Sequence, residues 1–337
     1  LMALGGTPET IEAALAYLVP LLLGTVFNYL NILFAATLRG LGSTRVAFAV
    51  ALGMNGLNVL FNYALILGHW GFPALGLAGA AIGTVASQGA AALVMWMLLH
   101  RGVVEGLRPE LVLRKLEVPL AKRLFAIGWP AALDMVVINA AFLSIIGMLG
   151  RLDQAAVAAH AIGLRVQAVA FVPGMSLSQA TGALVGQALG AGRPEEARRV
   201  LKASVAMSMV VMTGLTICII AFSDPLIAAF GVDPASDLGT YAAMWLRILG
   251  VGMPLAGIAI SFGGLFQGAG ATRVPLAINA AAHLLFQVPM SFVLGFPMGL
   301  GVWGVWAAFP MSFLIKDVAA LWAYLRLPWD KTGATVE

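Results

Sequence analysis

LFAATLRGLGSTRVAFAV (33–50) returns as LFQGAGATRVPLAI (265–278). Gly40 meets Gly268, Gly42 meets Gly270, and Thr44-Arg45-Val46 meets Thr272-Arg273-Val274, all at an offset of 228 residues. An apolar run precedes the motif in both copies and a second one follows it. A period this long in a 337-residue chain describes two related halves, of which only the second is complete. The stretch 122–227, upstream of the second copy, has no counterpart before the first. The repeat therefore predicts roughly a hundred further residues ahead of Leu1, and reads this chain as a fragment.

Hydrophobic residues make up 61% of the chain, charged residues 10%, and the mean hydropathy is +0.95. A water-soluble domain carries about 25% charged residues, so water is not the main solvent for this surface. Nine apolar runs are each about long enough to cross ~30 Å of hydrocarbon as a helix. They fall at 14–37, 46–68, 76–99, 124–149, 155–189, 201–222, 239–263, 274–295 and 301–325. The fifth is too long for a straight span and should tilt, or end in a turn near Gly186–Gly192. Pro130, Pro173, Pro254, Pro289 and Pro310 lie inside spans, where neighbouring helices can satisfy the carbonyls they free. Alternating barrel strands are absent from this pattern. The expected fold is an all-α polytopic membrane protein.

Orientation follows from the basic residues. Fifteen of the nineteen fall between spans one and two, three and four, five and six, and seven and eight, or after span nine. The opposite loops hold only Arg151. The basic side is expected to be cytoplasmic, which puts residue 1 outside. Three leading helices would satisfy both this parity and the repeat, giving two bundles of six. The expected organisation is a partial first lobe at 1–100 and a cytoplasmic linker at 101–123, then a second lobe at 124–326 and a tail at 327–337. The linker's PELVLRKLEVPLAKRL is amphipathic and suited to a membrane surface. The net charge of +4 is then topology, and no nucleic-acid partner is expected.

Ionisable groups are costly inside a bilayer, so each is a functional candidate. Asp134 lies in span four, Arg165 in span five, and Lys316 and Asp317 in span nine. Two readings stand side by side: a structural ion pair between Lys316 and Asp134, or proton exchange at Asp134 or Asp317 during transport. Arg247 and His160 lie nearer span ends, where snorkelling explains them. In span two, Asn58 and Asn62 share a helix face, with Asn55 three residues earlier and Thr84 in the next span. Such a stripe suits either Na⁺ or plain helix–helix hydrogen bonding. Phe171, Met175 and Gln179 in span five, with Asn55, Asn139 and Lys316, would suit a broad cavity for amphipathic cations, and equally an ordinary bundle interface. His69, His100, His160 and His283 are scattered, and Cys218 stands alone, so no metal centre or disulfide is expected.

LRGLGSTRVAF, GLNVLFNYALILG and LGLAGAAIGTVAS resemble the first-half signature of the multidrug and toxic compound extrusion family. IGWPAALDM, VAAHAIGLRVQAVAFVPGMSLSQATGALVGQALGAGRPEEARR and FQGAGATRVPLAI resemble its second half, in the right order over roughly 1–326. The resemblance makes these nine spans the fourth to twelfth helices of a twelve-helix, two-lobe protein. It implies a monomeric inner-membrane antiporter, without cofactors, that exports organic cations in exchange for H⁺ or Na⁺. Two lobes would rock around a central cleft, in contact with membrane lipids. The family's first-lobe cation pattern places Asn58, Asn62 and Thr84 at its asparagine, aspartate and threonine positions, so Asn62 stands where that pattern has a carboxylate. In the second lobe the family's paired carboxylates would fall near Ile138 and Ala256, both apolar, and Asp134 with Asp317 would substitute for them.

Two alternatives to the antiporter remain. One is a lipid-linked oligosaccharide flippase of the same superfamily, which has a more cationic cavity than Arg165, Lys316 and Arg247 offer. The other is a truncated transporter without activity. A membrane enzyme is not expected, because no HExxH or GxSxG array appears.

Overall fold

The computed structural model describes residues 8–103 and 117–330. Among these residues all regular structure is helical. The chain divides into two compact units, Leu1–Lys115 and Leu116–Glu337.

The first unit holds α1 (Pro8–Gly40), α2 (Thr44–Leu67) and α3 (Gly76–His100). Helix α3 packs on both α1 and α2, and a small core of Leu38, Met95 and Leu99 closes one end. The second unit holds α4 (Val118–Leu152), α5 (Gln154–Gly190), α6 (Pro194–Ala221), a short α7 (Ser223–Ala229) and α8 (Asp237–Gly268). It continues with α9 (Arg273–Asn279), a π-helical segment (Ala280–Gln287), α10 (Val288–Gly295) and α11 (Gly301–Arg326). Nine spans long and apolar enough to cross a membrane occur among the described residues, each covering one run read from the sequence.

The repeat is visible as one backbone device used twice. Helix α1 ends with Leu41, Gly42 and Ser43 donating to the carbonyls of Thr37, Arg39 and Leu38. Helix α8 ends with Ala269, Gly270 and Ala271 donating to those of Leu265, Gln267 and Phe266, the same pattern 228 residues later. Gly42 (φ 76°) and Gly270 (φ 73°) take the left-handed conformation that closes such a helix end. Arg39 ends α1, where its charge complements the helix dipole.

The last helix of each half also begins alike. A Cβ on Gly79 would stand 2.4 Å from Leu65 O, and one on Gly304 would stand 2.6 Å from Leu294 O. Small residues let the backbones of α2 and α3, and of α10 and α11, touch at their crossings.

Helix α5 is continuous for 37 residues, about 55 Å at 1.5 Å per residue, and ends in the turn at Ala191–Gly192. Thus it is over-long rather than broken. Pro130, Pro173, Pro254 and Pro310 lie inside unbroken helices, as does Pro20.

Pro289 behaves differently. It follows a segment whose ladder has shifted, with Val288 N–H reaching His283 O, five residues back. A proline ring clashes with the carbonyl four residues earlier, and a widened turn relieves that clash. Helix α4 begins at Val118, inside the stretch expected as the linker, and half of the amphipathic stretch, 109–116, lies outside the described residues.

The second unit has two apolar cores. One gathers Ile145, Leu149, Met212, Trp245, Leu249, Met253, Trp306 and Phe309. The other gathers Val185, Leu201, Leu265, Phe266, Ala320 and Trp329. A buried hydroxyl chain joins α5, α6 and α8. Thr181 donates to Ser204 (2.6 Å), Ser204 to Ser261 (3.1 Å), and Ser208 meets Ser261 at 2.9 Å.

Candidate functional site

In the first unit, Asn58, Asn62 and Thr84 come together. Asn58 Nδ2 donates to Thr84 Oγ1 (3.2 Å) and to Ser87 Oγ (3.4 Å). Asn62 Nδ2 donates to Asn58 Oδ1 (3.1 Å). Thr84 and Ser87 give their own protons to backbone carbonyls of α3, so their oxygens face Asn58 as acceptors. This chain consumes every polar atom of the set except one: Asn62 Oδ1 is buried without a donor. Ser87, which the sequence reading missed, is the most buried member. Its spacing of three from Thr84 was the available signal. Asn55 stands apart, exposed and bonded to its own helix at Ala51 O.

In the second unit, helices α4, α9 and α11 and the π segment converge on a charged cluster. Asn279 Nδ2 donates to both carboxylate oxygens of Asp134, at 2.8 and 3.0 Å. Lys316 and Asp317 are both buried. Among the described residues no carboxylate lies within ion-pair distance of Lys316. Its ammonium sits 5.4 Å from the centroid of the Phe313 ring, within electrostatic reach of Asp134, Asp317 and His283. Of the two readings of these charges, the close Lys316–Asp134 ion pair is not formed among the described residues, and Asp134 is held by Asn279 instead. Both oxygens of Asp317 are buried without a hydrogen-bond partner. Asn279 and Lys316 line a cavity of about 40 Å³ together with Phe262, Phe266, Ile278 and Ala320.

The π segment supplies the remaining polar groups. His283 Nδ1 meets Gln287 Oε1, and both side chains are buried. An amide oxygen only accepts, so this contact places a proton on Nδ1 of His283. Neither Asn279 nor His283 was singled out from the sequence, where an amide and an imidazole in an apolar run carry no pattern.

The remaining cavity candidates lie on a different surface of this unit. Asn139, Met175 and Gln179 are exposed, and Phe171 is half-buried with its ring 6.5 Å from that of Phe313. Phe171, Met175 and Gln179 recur every four residues and so share one face of α5. Arg165 and Arg247 are exposed. His160 does not snorkel: it is 1% exposed. It lies among Trp245, Trp306 and Phe309, with ring centroids at 4.8, 6.3 and 6.2 Å. Neither of its nitrogens has a partner.

The nine apolar helices among the described residues, two units sharing a repeated turn, and a charged cluster buried among spans describe a multi-pass membrane protein. The family profile described as MatE matches residues 1–64 and 130–293. The chain belongs to the MatE family.

It is 28% identical over 327 residues to "Probable multidrug resistance protein NorM" of Thermotoga maritima, covering 96% of this chain and 69% of the relative. To "Multidrug resistance protein NorM" of Burkholderia vietnamiensis it is 29% identical, covering 87% and 63%. The chain therefore spans about two thirds of the length of these relatives. Among solved structures, the outward-facing conformation of a multidrug resistance MATE family transporter superposes with a TM-score of 0.89 at 22% identity, covering 98% of this chain and 72% of that one. A MATE structure in the bent conformation gives 0.87 at 21% identity, covering 99% and 73%. At these identities the likeness is one of fold.

Proposed function

We propose that this chain is the greater part of a multidrug efflux antiporter of the bacterial inner membrane. It exports organic, often cationic, compounds in exchange for H⁺ or Na⁺, by alternating access and as a monomer. The observation that carries this reading is the buried cluster of Asp134, Lys316 and Asp317. Ionised, these three groups leave one negative charge uncompensated among membrane helices. That state is costly, and one monovalent cation relieves it. The amide set of the first unit offers a single open oxygen and no charge, so the coupling is assigned to the second unit, at Asp134 and Asp317. Asn58, Asn62 and Thr84 give a cation in the first unit only weak, neutral ligation. The compound itself is assigned to the surface of the second unit formed by Asn139, Met175 and Gln179 with the half-buried Phe171. The 40 Å³ cavity at Lys316 is far smaller than the ~300 Å³ and above that drug-sized ligands need.

The test uses everted membrane vesicles and a fluorescent organic cation under an imposed H⁺ or Na⁺ gradient. Gradient-driven accumulation is expected, and Asp134→Asn should abolish the drive while leaving substrate exchange at equal ion concentrations intact. Asp134→Asn vesicles that accumulate like wild type would remove Asp134 from the coupling site. No accumulation with any gradient or cation would sink the antiporter and favour the lipid-linked flippase.

A further inference from the structure

We infer that Lys316 is a resident counter-cation that limits the coupling to one monovalent ion per transport cycle. The inference rests on the antiport reading above and adds the number of ions to it.

The argument is a charge count over a closed set. The π segment and α9 pack against α4, α11, α10 and α8. Among the described residues, the charged or titratable groups that these elements bring to the cluster are Asp134, Lys316, Asp317 and His283. His283, whose Nδ1 faces Gln287 Oε1, enters the count as a neutral imidazole at rest. Two carboxylates and one ammonium sum to minus one. Loading a single H⁺ or Na⁺ brings the cluster to zero. A second would leave a net positive charge buried among apolar helices, a state as unfavourable as the empty one.

Lys316 is built for a fixed role. Its stem is packed in the protein, its ammonium lies near the Phe313 ring, and no carboxylate has it in a close pair. A tight Lys316–Asp134 or Lys316–Asp317 bridge would consume one carboxylate and hide the other's role. Held at a distance from both, the ammonium lowers the charge of the whole site without closing either acid to an incoming ion. Asn279 completes this arrangement by orienting Asp134 with two hydrogen bonds. The cavity beside Asn279 and Lys316 has room for an ion or one or two waters and nothing larger.

The count is read at static head, where net flux stops. Vesicles with wild-type protein are given a series of gradients of the driving ion, and the accumulation of a monovalent organic cation is measured. Exchange of one ion for one cation predicts about tenfold accumulation per tenfold ion gradient, independent of membrane potential. Lys316→Met removes the resident charge, leaves the site at minus two, and should raise accumulation to about a hundredfold per tenfold gradient, now potential-dependent. Lys316→Arg keeps the charge and should keep the wild-type slope. Should Lys316→Met fail to accumulate in the membrane, the wild-type slope still decides.

A wild-type slope of two overturns the inference while leaving the antiporter intact. An unchanged slope in Lys316→Met also overturns it, and makes Lys316 a structural residue. Failure of every gradient to drive uptake sinks the antiport reading, and this inference with it.

Discussion

One side-chain amide, that of Asn279, holds both oxygens of Asp134 across 145 residues of sequence. This contact ties α9 to α4 at the start of the π segment and holds the carboxylate within electrostatic reach of the Lys316 ammonium, outside ion-pair distance. Hydrogen bonds to a charged group are each worth about 1.5–3 kcal/mol when the alternative is a buried, unsatisfied charge.

Asn279→Leu removes two such bonds and is therefore expected to lower the stability of the protein in detergent by about 3–6 kcal/mol. Adding Asp134→Asn should recover part of the loss, since a neutral amide is cheaper to bury than a carboxylate. Thermal unfolding of the two single variants and the double variant gives the coupling energy. Additive effects would mean that the two side chains do not act as a pair.

Asn62 Oδ1 is the one acceptor of the first-unit network without a donor, and Asn62 stands where the family's cation pattern has an aspartate. Asn62→Asp adds a charge beside Asn58, Thr84 and Ser87 without adding bulk. The variant is expected to gain Na⁺ binding of at least about tenfold over wild type, measured by isothermal titration or ²²Na⁺ binding. Equal Na⁺ binding in both proteins would reduce this network to helix–helix hydrogen bonding.

Gly304 leaves no room for a side chain: its Cβ would stand 2.6 Å from Leu294 O, 2.7 Å from Leu294 C and 2.8 Å from Leu300 Cβ. Backbone cannot yield as a flexible side chain can. Gly304→Val should cost about 1–3 kcal/mol by overpacking, seen as a lower melting temperature or loss of protein from the membrane. Gly79→Val should behave alike in the first unit, against Leu65 O. A Gly304→Val protein as stable as wild type would contradict the close crossing of α10 and α11.

His160 presents the opposite case. Both ring nitrogens lack partners, and Trp245, Trp306 and Phe309 surround it. Replacing an unsatisfied polar group with an apolar one of similar shape is nearly neutral or stabilising. His160→Phe is expected to retain or raise the melting temperature. A loss of more than about 1 kcal/mol would mean that the imidazole makes a polar interaction in the membrane that apolar packing does not replace.

The repeat was legible because its chemistry is local. A helix end that turns back needs a residue with positive φ, and Gly42 and Gly270 meet that need within a few residues of sequence. Span positions were legible for the same reason, since hydrocarbon selects runs of apolar residues regardless of what lies elsewhere. Asp134, Lys316 and Asp317 could be singled out because charge is rare in such runs. Their partners could not be. Charge alone leaves a Lys316–Asp134 bridge open beside proton exchange, and the partner that holds Asp134 is an amide on another helix.

The sequence by itself determined the helices, their number among these residues, the two-half plan and the family. The helices rest on composition, the two-half plan on the repeat at an offset of 228 residues, and the family on the resemblance of its motifs and their order. Only the tertiary structure decided that Asn279 clamps Asp134, that Lys316 has no close ion pair, that Asp317 is unpartnered, and that His160 is caged rather than snorkelling. These facts depend on how helices distant in sequence rotate about their axes and on a π turn that shifts the register after Asn279. A buried polar atom takes whichever partner the packing brings within about 3 Å, and no spacing along the chain encodes that distance.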